Sequence, residues 1–147
     1  MGVAETTLKN RRRGRLKVVL IVLLVLLVFG TPVIIYFRIS ADGRIALREA
    51  KNIKLSFQMI SIEYYAMGDS IYDNTRASGM GEGVRERIDE ILELKGSIKI
   101  TSYDIGNRVV TGFIYTTGSY QVIYTYDKNT GGSYRVNYIF KLFDFGE

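Results

Sequence analysis

Residues 18–37, VVLIVLLVLLVFGTPVIIYF, run for 20 residues without a charge, between Lys17 and Arg38. At about 1.5 Å of rise per residue, a helix of this length reaches roughly 30 Å, the thickness of a bilayer's hydrocarbon core. A core helix of a soluble domain keeps a polar face for solvent, and this run has none. It predicts a transmembrane helix over residues 18–38, with Tyr36 and Phe37 as interfacial aromatics. Gly30 and Pro32 lie inside it. Proline removes a backbone hydrogen bond and kinks a helix, which membrane helices tolerate, so a kinked anchor is expected.

Two other readings of the N-terminus compete. A cleaved signal peptide also has a basic start, and Ile39-Ser40-Ala41 would serve as its cleavage site. Its apolar region spans only about 7–15 residues, which favours a retained anchor. The start Met1-Gly2-Val3-Ala4-Glu5-Thr6 fits a loose myristoylation pattern, redundant beside a spanning helix.

Charge gives the expected orientation. The net charge of +5 resides in residues 1–17, where Lys9, Arg11, Arg12, Arg13, Arg15 and Lys17 face one acid, Glu5. The other 130 residues hold 14 basic and 14 acidic side chains. Basic flanks stay on the cytoplasmic side, so residues 1–17 read as a cytoplasmic tail and residues 39–147 as an extracytoplasmic domain of a plasma-membrane protein. A basic chain raises nucleic-acid binding, but the neutral exterior argues against that partner.

The external part changes its hydrophobic period twice. Ala46, Ala50, Ile53, Phe57, Ile60, Tyr64, Met67 and Ile71 are spaced alternately four and three apart, the seam of a long amphipathic helix. Ser40 or Asp42 would cap its start, and Gly43 and Gly68 mark weak points near its ends. Arg48, Lys51, Lys54, Gln58 and Ser61 form the opposite face, and Leu55, Met59, Ile62 and Tyr65 are expected to widen the buried stripe. After a polar loop over residues 73–83, a short helix places Val84, Ile88, Ile91 and Leu92 on one face. Arg85 and Asp89 support it as an i,i+4 pair, and Gly96 is expected as its C-cap. Period-two runs then predict strands over 97–104, 108–116, 119–127 and 133–143, separated by turn residues. Short connections make them an antiparallel meander. The fold class is therefore α+β: a transmembrane helix, a long amphipathic helix, a short helix, and a four-stranded antiparallel meander packed on the long helix.

Chemistry is sparse. The chain has no Cys and no His, which removes disulfides, thiolate chemistry, the commonest general base and the commonest metal ligand. Gly79-Met80-Gly81-Glu82-Gly83 follows a helix and carries a carboxylate, so it reads as a linker and not a phosphate loop. Asp127-Lys128-Asn129-Thr130-Gly131-Gly132 starts like a calcium loop, but its twelfth position is Tyr138, and it reads as a hairpin turn. Asp69 and Asp73 read as a solvated helix end, and no Ser/Lys or carboxylate pair is singled out by spacing. The chain is expected to be non-enzymatic, without metal or cofactor.

The 11 tyrosines all follow residue 35. Tyr120, Tyr124, Tyr126, Tyr134 and Tyr138 share one inferred strand face, either as a core edge under the helix or as a partner surface. The element order resembles that of type IV pilins and pseudopilins: a basic leader, an apolar helix running into an amphipathic one, then an antiparallel sheet. Gly30 and Pro32 in the apolar half match a habit of that family. The family's processing motif has Gly, a hydrophobic residue, and Glu at the fifth mature position; here Gly14 precedes Arg15, and the fifth residue is Val19. The resemblance implies a subunit of a surface or secretion assembly, with the bilayer and other envelope proteins or further copies as partners. The other functional reading is an anchored accessory or sensor domain that binds a small ligand between helix and sheet.

Overall fold

The structure, a computed structural model, describes the backbone of residues 2–139 and the side chains of residues 17–139. Its elements are α1 (Gly2–Met67), α2 (Val84–Leu92), β1 (Ser97–Asp104), β2 (Val109–Thr117), β3 (Tyr120–Asp127) and β4 (Gly131–Tyr138). The chain divides into two compact units, Met1–Ala41 and Asp42–Glu147, and α1 contributes to both.

In the first unit, α1 holds one stretch long and apolar enough to cross a membrane. Every large apolar side chain from 18 to 37 is exposed. The helix runs through Pro32, and the Thr31 hydroxyl donates to the Leu27 carbonyl at 2.6 Å. The expected boundary between two helices is absent. Ser40 and Asp42 lie inside α1 and not at a cap, and Gly43 is helical. An interior glycine costs a helix only about 1 kcal/mol, and the helix formers around it carry the ladder across.

In the second unit, the antiparallel sheet has the order β1-β2-β3-β4. The expected strands are recovered within one or two residues, except at the end of β4: residues 140–143 lie outside the described residues. One sheet face packs on α1. Ala46, Ala50, Ile53, Phe57 and Ile60 are buried from the helix side, against Ile98, Ile100, Phe113, Tyr115, Val122 and Tyr124 from the sheet. Phe113 stands between Phe57 and Tyr124, with ring centroids 5.6 and 5.2 Å away. Irregularities on either side of Ser102 shift the β1–β2 register, and Val110 is buried as well as Phe113. An extra residue in a strand re-aims the side chains beyond it.

The helical seam stops earlier than its periodicity suggests. Gly68, at φ 84°, ends α1, with hydrogen bonds from Gly68 N to Tyr65 O and from Asp69 N to Tyr64 O. Met67 is therefore exposed, and Ile71 is buried from the loop and not from the helix. That loop is packed. Ile100 N donates to Ser78 O at 2.8 Å, and a Cβ on Gly79 would stand 2.6 Å from the Ile100 carbonyl oxygen.

Two details of α2 also depart from expectation. Val84 and Ile88 are buried and Leu92 is half-buried against the core, but Ile91 is exposed. Glu93, at φ 47°, makes the C-cap. Gly96 serves a close approach instead: an added Cβ would stand 2.4 Å from the Thr116 carbonyl oxygen. Arg85 pairs with Asp89 at 2.8 Å, as the spacing predicts, and also donates to Gly96 O.

A phenol ties α1 to β2. Tyr115 is fully buried and donates to Glu49 Oε2 at 2.7 Å. Burial first, then the hydrogen bond and charge of Glu49, push this phenol from its ordinary value of 10.0 up to about 12. Because the folded value lies above the unfolded one, Tyr115 contributes stability in full below pH 10, and that stability is lost as pH rises toward 12. The thermal midpoint is expected to fall across this window, and Tyr115→Phe is expected to flatten the fall. An equally steep fall in the variant would locate the alkaline sensitivity elsewhere.

Candidate interaction surface and cleft

β3 and β4 bring the five singled-out tyrosines to one sheet face. Tyr120 pairs with Tyr138 and Tyr124 with Tyr134, with ring centroids 5.2 and 4.9 Å apart, and Tyr126 opposes Gly132. Tyr124 is in the core, and Tyr120 and Tyr134 are half-buried. Lysines of α1 cover part of this face: Lys54 Nζ stands 5.1 Å from the Tyr124 ring centroid and Lys51 Nζ 6.0 Å from that of Tyr134. Burial raises the Tyr134 phenol above its ordinary range. Tyr126 and Tyr138 remain 45% and 48% exposed. One strand pair thus spans core and surface.

The side of α1 turned away from the sheet is apolar. Leu55, Met59 and Ile62, expected in the core, are 57%, 63% and 71% exposed, and Tyr65 is exposed beside them. A single sheet can cover only one side of a helix, and Leu55, Met59 and Ile62 lie about 140–200° around α1 from the Phe57 direction. With Ala66 they form a stripe at spacings of four, three and four. Arg44 and Arg48 precede the stripe on the same side, and neither forms an ion pair among the described residues. The cations of the N-terminal flank, Arg11, Arg12, Arg13 and Arg15, have side chains outside the described residues; Lys17 is exposed.

A cleft of about 390 Å³ opens between α1 and the start of β2. Phe57, Tyr65, Val109 and Val110 supply apolar wall, and Lys54 and Arg108 supply positive charge. Arg108 was expected to begin β2; instead it precedes the strand at φ 55°. The left-handed region is uncommon for a residue with a Cβ. Two contacts hold it there: Ser61 Oγ donates to the Arg108 carbonyl at 2.7 Å, and the guanidinium lies 3.9 Å from the Tyr65 ring centroid. Upstream in the turn, Asp104 accepts from Asn107 N and Nδ2 at 3.0 and 2.8 Å, which lowers its carboxyl below the ordinary range. In the sequence this site is hidden, because Ile105-Gly106-Asn107 reads as an ordinary turn. Nothing local signals that the residue after Asn107 adopts the positive φ.

The other loops do structural work. Asp127 Oδ1 accepts from Asn129 N at 2.7 Å and Thr130 N at 3.3 Å, closing the β3–β4 hairpin. Asp73 accepts from Thr75 through its backbone and hydroxyl, which lowers the Asp73 carboxyl. Among the described residues, no three His, Cys, Asp or Glu side chains are grouped to hold a metal ion. Comparison of the chain with protein-family models, curated proteins and solved structures gave no match.

Proposed function

We propose that this chain is a single-pass membrane protein whose residues 39–147 form a non-enzymatic extracytoplasmic domain for assembly with other copies or other envelope proteins. The carrying observation is the exposed stripe of Leu55, Met59, Ile62 and Ala66, on the same helix as the apolar run. A contiguous apolar face on a folded domain marks an interaction site. Tyr126 and Tyr138 add amphipathic rings suited to a partner surface. The pilin-like order of elements supports the subunit reading.

N-inside orientation rests on the density of cations before the run. Six fall between residues 9 and 17, whereas five are spread over residues 38–54. In intact cells, external protease is expected to degrade the domain and leave a protected N-terminal fragment. Full protection of residues 39–147 would overturn the orientation.

The assembly surface is tested with the full chain in neutral detergent. Wild type is expected to sediment as a concentration-dependent oligomer. Leu55→Asp with Met59→Asp is expected to weaken association by at least about tenfold, since each buries a charge in the contact, while the thermal midpoint holds. A wild-type monomer at all concentrations would remove self-assembly, and an unchanged oligomer in the variant would remove this stripe as the contact.

A further inference from the structure

The cleft beside Arg108 shares Ile62 with the assembly stripe but none of its other residues. Its volume lies within the range of about 300–1,000 Å³ that small-molecule sites occupy. Its walls are mainly apolar, and its only charged lining groups among the described residues are Lys54 and Arg108. Among the described residues, neither cation forms an ion pair. Asp104, the acid of the turn, is engaged by Asn107; it lines a neighbouring hollow that Lys54 also borders, and not this cleft.

Both cations are held in place. Lys54 lies over the Tyr124 ring and Arg108 over the Tyr65 ring. Aromatic faces position a cation without neutralising it, so the two side chains keep their positive charge at the cleft, where it favours an anion. Arg108 is the second sign. A positive φ at a residue with a Cβ costs of order 1 kcal/mol or more and persists where the surroundings impose it, commonly at ligand sites. Glycine there would relax the backbone without disturbing the turn. Arg108 thus places a guanidinium at a position whose backbone favours glycine.

We propose that the cleft binds a small amphiphilic acid: an aromatic or branched apolar body seated against Phe57, Tyr65, Val109 and Val110, with one carboxylate between Lys54 and Arg108. A neutral apolar molecule would leave both cations unanswered, and a polyanion would set its remaining charges against the apolar walls.

The probe is 4-(trifluoromethyl)phenylacetate, followed by fluorine NMR on the full chain in nanodiscs of uncharged lipid, with its primary amide as the neutral isostere. The acid is expected to show saturable binding and the amide binding at least about tenfold weaker, the worth of a charge-assisted contact. Arg108→Gly is expected to weaken the acid about tenfold, leave the amide unchanged, and hold or raise the thermal midpoint. Lys54→Met provides a second variant with an intact turn and is expected to weaken the acid in the same direction. Equal binding of acid and amide, wild-type affinity in both variants, or no saturation at millimolar probe would overturn the proposal. So would binding that appears only at concentrations where the chain self-associates, which would make a neighbouring chain the occupant. Loss of oligomers in the Leu55→Asp, Met59→Asp chain with retained probe binding separates this site from the assembly surface.

Discussion

Phe113→Ala is expected to destabilise the external unit by about 3–5 kcal/mol, the range for removing a buried phenylalanine and leaving a cavity. Phe113 is fully buried in β2, pairs with Ile100 on one side and Tyr124 on the other, and meets Phe57 of α1. Its neighbours are themselves packed, so the space it leaves would close only in part. Domains of this size hold only about 5–15 kcal/mol, so the loss would take a large share of the total. The check is urea unfolding of the full chain, read by near-ultraviolet circular dichroism of the tyrosines. With slopes of about 1–3 kcal/mol per molar for small domains, the midpoint should fall by roughly 1–3 M. A shift under about 0.3 M would show that the helix and sheet do not meet at this residue.

Leu24→Arg combined with Leu27→Arg is expected to abolish membrane retention. Each arginine near the centre of a spanning helix costs about 2.5–3.5 kcal/mol and each lost leucine removes about 0.5 kcal/mol, so the pair costs about 6–8 kcal/mol. That is comparable to the whole favourable insertion energy of a run of this length. Both residues are exposed and lie in the first unit, outside the core of the second, so the folded sheet should survive. The measurement is the fraction of chain left in the membrane pellet after alkaline carbonate extraction. Retention equal to wild type would refute the spanning helix. Tyr138→Ser serves as a control, since it should leave retention untouched.

Much of the fold was legible because its signals are local. Period-two alternation and short turns located four strands and made them antiparallel, and the seam of Ala46, Ala50, Ile53, Phe57 and Ile60 identified the helix side that meets the sheet. What failed was whatever depended on the neighbours. Leu55, Met59 and Ile62 are apolar by composition, yet no layer of the described unit covers them. Gly43 looks like a break, yet flanking helix formers hold it in α1. Gly96 looks like a cap, yet its lack of a Cβ serves the Thr116 backbone across the sheet. The cleft could not be read in advance, because Arg108 and Lys54 stand 54 positions apart in the chain and converge only when β2 packs beside α1.

By itself, then, the sequence determined the apolar run, the concentration of charge before it, the α+β class and the strand order, since each follows from composition or periodicity within a few consecutive residues. Only the tertiary structure decided which apolar residues are core and which remain on the surface, and which charges share a cleft. Those are questions of coverage and distance, and coverage depends on how many layers pack around a helix, which no local period records.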